Sequence, residues 1–363
     1  MFNWDGERPN SVNKINSQIR IGNVAVGVGC ASFIVAEVGI NHNGDVERAL
    51  EMIRVAKDAG CDAVKFQTFK AKEFINDPSQ TYTYKSQGRE VTESMLVMFQ
   101  RYELSEDSWR AIKDECVRQD IQFISTPQNR SDLEFLRRLG VPAVKVGSDD
   151  FTYIPQLRDF AKSGLPLILS TGMSDLADVQ YALDAVGAFD GYPVILLVCT
   201  SQYPTPPSDA HLRRIGTLAS AFPGLLVGFS DHTQGSQAAV MAAALGAVFF
   251  EKHFTLDVNL PGPDHWFSED PDGLTEWVRA IRNAETMLGQ PFIRPTAVER
   301  ENRYEYQRRM VAARVICVGD TFDETNVTML RNEAGRGLPP SAWDFVKGKT
   351  ASRSFEPGQP IEF

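Results

Sequence analysis

The sequence predicts an α/β protein built as a (β/α)8 barrel, or TIM barrel, followed by a small C-terminal domain. Eight short apolar runs recur between residues 33 and 253, and each stops on a polar or charged side chain. Amphipathic stretches of helical period separate the runs, so the order reads β-α eight times. After residue 288 the sequence turns polar and then continues in short β-like pieces. The eight runs are FIVAE (33–37), AVKFQ (63–67), QFIST (122–126), AVKVGS (143–148), PLILST (166–171), VILLVCT (194–200), LLVGFSDH (225–232) and VFFEKH (248–253).

The other elements follow from capping and turn residues. Residues 1–30 form an N-terminal extension in which IRIGNVAVG (19–27) predicts a hairpin closing one end of the barrel. Asp45 and Ser105 are suited to cap helices over 46–59 and 106–119. Glycine follows the predicted helices at 131–139, 176–186 and 236–245, which is typical of a helix-to-strand turn. The longest loop, 70–104, is expected to be a lid or a subunit contact.

Domain boundaries are expected on either side of the polar stretch that contains ERENRYEYQRR (299–309). The predicted barrel spans 31–290, a solvated linker spans 291–310 and a small domain spans 311–363. Within that domain, 311–318 and 361–363 predict short strands, and Gly and Pro pairs mark turns. A domain of this size has a marginal core when it stands alone, so we expect it to dock on another surface.

Composition restricts the class of ligand and the compartment. The chain has 363 residues, a net charge of −10 and no basic cluster with interleaved aromatics, which argues against nucleic acid as a partner. The five cysteines lack CxxC or framework spacing, so we expect reduced thiols in a cytoplasmic protein. The sequence shows neither an apolar run of about 18 residues nor the layout of a signal peptide. Small molecules are therefore the expected ligands.

The carboxyl ends of the eight strands should meet on one face of the barrel, where barrel enzymes place their active sites. Polar side chains at these ends would then line one pocket although they are far apart in sequence. They are Glu37, Lys65, Gln67, Thr126, Lys145, Ser148, Ser170, Thr200, Ser230, His232 and His253.

Two histidines, His232 and His253, end neighbouring strands seven and eight. A single histidine at such a place is more often a hydrogen-bonded structural group than a metal ligand. A converging pair, completed by water and substrate oxygens, suits Mn²⁺ or a similar borderline ion, whereas Mg²⁺ prefers oxygen ligands. The pair therefore favours a divalent metal site.

Two lysines, Lys65 and Lys145, end strands two and four in apolar surroundings. A buried lysine needs an anion, so the pair indicates an anionic ligand. The alternative is that each side chain extends along the apolar surface and places its ammonium in solvent at the edge of the pocket. Hydroxyl groups from strands three, four, five and seven would help to cradle phosphate and carboxylate. A pocket lysine also allows a Schiff-base aldolase as an alternative. A carboxylate at the end of a buried barrel strand, such as Glu37, seldom serves only for packing. An ion pair with Lys65 is the alternative explanation for its presence there.

Eight strings and the tail together resemble the sialic acid synthase family. The tail RRMVAARVICVGDTF with its Gly-Leu-Pro-Pro turn is similar to the antifreeze-like (SAF, β-clip type) domain of that family. The resemblance implies a transferase that condenses phosphoenolpyruvate with an N-acylated hexosamine aldehyde, typically N-acetylmannosamine. The products would be a nine-carbon 2-keto sugar acid and phosphate. The strings are FIVAEVGINHNG (33–44), AVKFQTF (63–69), ISTP (124–127), LSTGM (169–173), QYPTP (202–206), GFSDHT (228–233), EKHFT (251–255) and PGPDH (261–265).

The resemblance also implies a divalent metal, Mn²⁺ ahead of Mg²⁺ or Co²⁺, and a domain-swapped homodimer in which the small domain covers the partner's barrel. His232 and His253 would bind the metal, which would polarise the sugar aldehyde. Glu37 would be catalytic with them, as a substrate contact and proton donor. Phosphoenolpyruvate would contact Lys65, Thr126, Lys145, Ser148, Ser170, Ser201 and Ser230. The sugar would contact Gln67, Tyr203, Asp264 and, from the partner chain, Arg331 or Arg336.

Three positions depart from the family pattern. Ser201 stands where an asparagine is common, and Asp149 adds a carboxylate beside Ser148. The tail reads RNEAGRGLPP (331–340) instead of Arg-Pro-Gly-x-Gly, so either arginine fits the family position. These departures leave open a pseudaminic or legionaminic acid synthase using a 2,4-diacetamido-trideoxyhexose. They also allow a non-catalytic sugar-binding homologue.

Overall fold

The computed structural model describes residues 17–332 and 335–362. Internal contacts divide the chain into two compact units, Met1–Gly289 and Gln290–Phe363. Residues 1–16 of the predicted extension and Phe363 of the predicted last strand lie outside the described residues. None of the helices in the described ranges has the length and apolar character that a membrane span needs.

The strands and helices alternate along the first unit as the sequence predicts. In chain order the strands are β1 (Gln18–Ile21), β2 (Val24–Gly27), β3 (Phe33–Gly39), β4 (Ala63–Thr68), β5 (Thr81–Ser86), β6 (Arg89–Ser94), β7 (Gln122–Pro127), β8 (Val144–Val146), β9 (Leu167–Ser170), β10 (Val194–Val198), β11 (Leu226–Asp231), β12 (Phe249–His253), β13 (Arg309–Ala312) and β14 (Val327–Leu330). The helices are α1 (Val46–Asp58), α2 (Ala71–Phe74), α3 (Met95–Tyr102), α4 (Glu106–Arg118), α5 (Arg130–Leu139), α6 (Ile154–Ala161), α7 (Leu176–Val186), α8 (Arg214–Ala221), α9 (Gln237–Ala244), α10 (Pro271–Leu288), α11 (Ala297–Tyr306) and α12 (Trp343–Val346).

The eight predicted barrel strands, β3, β4 and β7 to β12, form a closed barrel of parallel strands. β12 closes it by pairing with β3, which places Glu37 in register with His253 on one side and with Lys65 on the other. The predicted (β/α)8 fold is therefore confirmed.

The barrel core has two layers. Alternate residues of the strands point inward and pack with Ile19, Ile21 and Val26 of the β1–β2 hairpin, which closes the amino-terminal end. The other strand residues pack outward against the helices. Because the hairpin fills the amino-terminal end, the carboxyl ends of the strands are left for a pocket.

Local capping explains most of the helix limits. Asp45 and Ser105 accept hydrogen bonds from the amides of Arg48 and Ser108, so α1 and α4 begin as predicted. The cap of α5 is Asn129, and the helix begins at Arg130, one residue before the predicted range 131–139. The helix α6, which the eightfold β-α pattern predicts between β8 and β9 without bounds, has Tyr153 at its capping position and lacks a side-chain cap bond.

The long segment 70–104 is well structured. It contains the short helix α2, the antiparallel hairpin β5–β6 and the helix α3. The side chains of the hairpin and of α3 reach the cavity at the carboxyl end of the barrel. The segment therefore forms one wall of the cavity.

The second unit has its own small core, made by Met310, Ile316, Phe322, Phe355 and Ile361. Its regular sheet is the antiparallel pair β13–β14, and the predicted strand 311–318 is regular only as far as Ala312. The predicted linker 291–310 contains α11, an exposed helix with a capping box between Thr296 and Glu299. The stretch is therefore polar because it contains a helix whose side chains are exposed to solvent.

Candidate active site

A cavity of about 920 Å³ opens at the carboxyl end of the barrel. This volume is near the top of the usual range for ligand pockets, about 300–1,000 Å³, and leaves room for two small substrates. All predicted site residues of the first unit line it: Glu37, Lys65, Gln67, Thr126, Lys145, Ser148, Ser170, Ser201, Tyr203, Ser230, His232, His253 and Asp264. Thr200 does not line it, because its hydroxyl donates to Asp209 O.

The two predicted arginines lie in the second unit. Arg331 Nε donates to Tyr306 O at 2.8 Å, and Arg336 forms an ion pair with Glu362 at 3.0 Å. Both remain exposed at the protein surface.

The centre of the cavity is a buried cluster of two lysines and two glutamates. Lys65 Nζ lies 2.6 Å from Glu37 Oε2, so the ion pair foreseen as an alternative for Glu37 exists. Glu251 lies between the lysines, 3.9 Å from Lys65 Nζ and 3.7 Å from Lys145 Nζ. Both lysines are at least 96% buried, so neither reaches out to solvent.

The pKa shifts within this cluster follow from burial and pairing. Burial raises the pKa of Glu37 in spite of the neighbouring ammonium of Lys65. Burial lowers the pKa of Lys145. Burial opposes the charge of Lys65, but the carboxylates of Glu251 and Glu37 raise its pKa overall. The cluster therefore combines one firmly charged lysine with a carboxyl group that binds its proton more tightly than usual.

Glu251 is a site residue that the sequence analysis did not identify. It lies two positions before His253, so strand alternation points both side chains into the cavity. Its Oε1 accepts a hydrogen bond from Ser230 Oγ at 3.0 Å. The period of two in FFEKH was the signal that could have identified it.

Hydroxyl groups surround the lysines on the other strands. Lys145 Nζ donates to Ser170 Oγ at 2.7 Å, and Lys65 Nζ lies 3.4 Å from Thr126 Oγ1. The hydroxyl of Ser201 is buried without a hydrogen-bond partner. A Cβ at Gly172 would meet Ser201 Oγ at 2.4 Å and Ser148 Oγ at 2.6 Å, so only glycine fits here. This arc presents ammonium and hydroxyl donors to an anion.

The two histidines face each other across the top of strands β11 and β12. Their ring centroids are 5.6 Å apart, and the ring of Tyr203 lies 4.2 Å from that of His232. His232 Nδ1 donates to Thr200 O at 2.7 Å, so Nε2 is the unprotonated nitrogen, and it lies 3.3 Å from Ser230 Oγ. Burial lowers the pKa of both histidines, so both imidazoles are neutral at neutral pH.

This pair fits a divalent metal ion. His253 Nδ1 is buried without a hydrogen-bond partner, and His232 is oriented through its other nitrogen, as metal-binding histidines usually are. In residues 17–332 and 335–362, no group of three His, Cys, Asp or Glu side chains could hold an ion alone. The remaining ligands would have to be water or substrate oxygens.

A second buried network lies directly behind the histidines, on the outer face of the same strands. Lys252 Nζ donates to Asp231 Oδ2 and Gly235 O, both at 3.1 Å, and lies 3.4 Å from Glu269 Oε1. Asp231 Oδ2 also accepts from Trp277 Nε1 at 3.0 Å. Each histidine directly follows one member of the ion pair in the chain, so the pair fixes the relative position of the two strand ends.

A polar corner lies at the end of β3. Gly39 has φ +54°, and a Cβ there would meet Glu37 Oε1 at 3.1 Å, Gln67 Nε2 at 3.5 Å and Asp264 Oδ2 at 3.7 Å. These three side chains therefore converge on one small volume. Burial raises the pKa of Asp264 to about 7.

Several aromatic side chains of the cavity were not predicted as site residues. Trp266 and Phe267 follow Asp264, and Tyr82 comes from the β5–β6 hairpin. Trp266 and Phe267 lie in a short 3-10 turn, and Tyr82 lies in β5, within the segment that the sequence predicted as a loop. In a predicted loop, neither strand alternation nor helical period indicates which way a side chain points.

The comparisons with known proteins agree with this geometry. Residues 52–292 match the NeuB family, and residues 308–363 match the SAF domain. The chain is 37% identical to N,N'-diacetyllegionaminic acid synthase of Legionella pneumophila, over 92% of this chain and 94% of the relative. It is 34% identical to N-acetylneuraminate-9-phosphate synthase of Mus musculus, over 87% of this chain and 88% of the relative.

Solved structures lead to the same family. N-acetylneuraminic acid (sialic acid) synthetase of Leptospira borgpetersenii, crystallised in complex with citrate, is 32% identical and superposes with a TM-score of 0.71. The match covers 79% of this chain and 95% of that one. The resemblance to sialic acid synthases is therefore confirmed, and the chain belongs to the NeuB family, with a SAF domain after its barrel.

Proposed function

We propose that this protein is a nonulosonic acid synthase, a transferase that condenses phosphoenolpyruvate with an N-acylated aminosugar aldehyde and water. The products are a nine-carbon 2-keto sugar acid and phosphate. One observation carries the proposal: a pair of neutral histidines and a buried lysine-glutamate cluster share a single cavity with room for both substrates. The names of the relatives support the class of reaction.

Phosphoenolpyruvate would bind on the arc of Lys65, Lys145 and hydroxyl groups. The lysines are paired with Glu37 and Glu251 in the free protein, so an incoming anion would share their ammonium groups with these carboxylates. Thr126, Ser148, Ser170, Ser201 and Ser230 provide hydroxyl donors around that position. A Schiff-base aldolase needs a lysine that is readily deprotonated. Because both lysines lie within ion-pair distance of glutamate side chains, we favour anion binding over a Schiff-base aldolase.

The reaction forms one carbon-carbon bond. The π electrons of phosphoenolpyruvate form a bond from C3 to the aldehyde carbon, and the aldehyde oxygen becomes an alkoxide. Glu37 would donate a proton to this alkoxide, a role that suits a carboxyl group whose pKa is raised by burial. Water then adds to the cationic C2 and loses one proton, which replaces the proton that Glu37 donated. The C2 hydroxyl loses its remaining proton as the C2–O bond to phosphate breaks, so the 2-keto group forms and the electrons of the broken bond leave on phosphate. Positioning both substrates in one cavity supplies much of the rate.

His232 and His253 would hold a divalent cation, and two imidazoles favour Mn²⁺ over Mg²⁺, with Co²⁺ also compatible. When bound, such an ion polarises the aldehyde oxygen as a Lewis acid. Tyr203 packs on His232 and limits the space beside it.

The sugar would lie on the other side of the cavity, against Gln67, Asp264 and Tyr203. The family resemblance implies either N-acetylmannosamine or a 2,4-diacetamido-trideoxyhexose as the sugar, and the name of the legionaminic acid relative supports the second. We also propose a homodimer in which Arg331 or Arg336 reaches the N-acyl group of the sugar in the partner's barrel. We place the enzyme in the cytoplasm because its five cysteines are free thiols.

The test is release of phosphate from phosphoenolpyruvate in the presence of Mn²⁺ and a panel of N-acylated aminosugars. We expect His253→Ala to abolish metal-dependent release while its thermal unfolding stays close to that of the wild type. His211→Asn is the matched control, because His211 is an exposed histidine outside the cavity and asparagine tolerates its positive φ. Full activity of His253→Ala would contradict the metal assignment, and no release with any sugar would favour a non-catalytic homologue.

A further inference from the structure

We propose that the far end of the sugar, away from its aldehyde, rests on an apolar wall formed by Phe74, Met95 and Phe99. The preferred sugar would then carry methyl or acylamino groups at that end and no phosphate. This inference rests on the proposed function and specifies its second substrate.

The wall is built by the segment between β4 and α4. The rings of Phe74 and Phe99 are 5.1 Å apart and pack edge to face, and each also packs on Phe69. Met95 begins α3 four residues before Phe99, so the two side chains lie on one face of the helix. All three wall residues line the cavity and are only half-buried, so apolar surface faces the space where a ligand would lie. Covering such surface favours a ligand with an apolar group at that place.

The wall lies next to the polar corner at Gly39. Ile40, the residue after Gly39, packs in the same apolar cluster as Phe69, Phe74 and Phe99. Glu37, Gln67 and Asp264 converge on the other side of Gly39. A sugar that places its aldehyde near Glu37 and the histidines, and its hydroxyls near Gln67 and Asp264, therefore has the wall as the surface for its remaining carbons.

The charges of the cavity argue against a phosphate at the far end. Within the described residues, Lys85 is the one cation that segment 70–104 places on the cavity, and its ammonium lies over the ring of Trp266 at 4.6 Å. Two further contacts hold the hairpin tip in this position: Gly262 N donates to Ser86 Oγ, and Gln87 Nε2 donates to Asn259 O. A phosphate dianion is usually bound by several charge-assisted hydrogen bonds, which one exposed ammonium does not supply.

The experiment compares kcat/KM for three sugars with saturating phosphoenolpyruvate and Mn²⁺. They are N-acetylmannosamine, N-acetylmannosamine 6-phosphate and 2,4-diacetamido-2,4,6-trideoxymannose. We expect the trideoxy sugar to be preferred by about tenfold or more, which is the scale on which an apolar pocket distinguishes one small group. Met95→Gln and Phe99→Tyr keep the size of the side chain and add a polar atom, so each should reduce this preference by about tenfold through KM more than through kcat.

Val97→Gln is the matched control, because Val97 lies on the same helix but is exposed. It should leave the preference unchanged. Preference for either of the other sugars, or an unchanged ratio in both wall variants, would overturn the apolar wall while the proposed function survives. Absence of phosphate release with all three sugars would overturn both proposals.

Discussion

The ion pair between Lys252 and Asp231 gives a prediction that can be worked out from the structure. Lys252 is 98% buried, and its ammonium binds Asp231, Thr233 O, Gly235 O and Glu269. Lys252→Met removes all these donors and leaves two carboxylates without their cation. Breaking a buried pair from one side costs about 3–5 kcal/mol. Asp231 keeps the donors of Trp277 and Thr233, so we expect the lower part of that range.

The expected shift in melting temperature follows from the size of the barrel unit. At about 2.1 cal/mol/K per residue, a unit that ends at Gly289 has an unfolding entropy of roughly 0.6 kcal/mol/K. A loss of about 3 kcal/mol then lowers the melting temperature by about 5 °C. Calorimetry of the metal-free wild type and variant measures this shift in melting temperature. Asp231→Asn and the double variant complete a cycle, in which the double variant should lose less than the sum of the singles by about 1–3 kcal/mol.

A second measurement links this pair to the histidines. Lys252 and Asp231 directly precede His253 and His232, so loosening the pair should weaken Mn²⁺ binding by about tenfold, as changes behind metal ligands commonly do. Titration of the protein with Mn²⁺ alone measures the dissociation constant for Mn²⁺. Lys162→Met is the control, because this lysine forms an exposed pair with Asp159 that contributes little. A stability loss of Lys252→Met below about 1 kcal/mol, or strictly additive effects in the cycle, would refute the reasoning.

Two further predictions concern Asp264 in the polar corner and the second unit. Burial raises the pKa of Asp264 from 3.8 to about 7, so the folded protein holds this proton more tightly than the unfolded chain, and stability is lost as pH rises through this interval. Asp264→Asn should therefore raise the melting temperature above about pH 7 and leave it unchanged below about pH 4. An equal effect at both pH values would contradict the raised pKa of Asp264. Removal of the unit 290–363 should leave a folded barrel, which has its own core, with a higher KM for the sugar and unchanged binding of phosphoenolpyruvate. Unchanged sugar kinetics in that truncation would show that the SAF domain has no part in the site.

The sequence alone was sufficient for the barrel and for most of the cavity. A barrel strand is marked locally, by an apolar run that stops on a polar residue, and all parallel strands of a barrel end on one face. For this reason His232, His253, Lys65 and Lys145 could be placed in one pocket without any knowledge of distances. The bounds of α6 and the hairpin β5–β6 could not be predicted, because Tyr153 is a poor cap and Gln87-Gly88 is a weak turn signal.

Only the tertiary structure decided how these groups pair. The closure of the barrel sets the register that puts Glu37 between Lys65 and His253, and it brings Glu251 between the two lysines. It also places Lys85 over Trp266 and leaves apolar faces of Phe74, Met95 and Phe99 toward the cavity. Periodicity and caps arise from neighbours in the chain, so the sequence determined the strands and the face they share. Charge pairing, pKa shifts and the shape of the cavity depend on residues up to about two hundred positions apart, which only the closed barrel brings within a few ångströms.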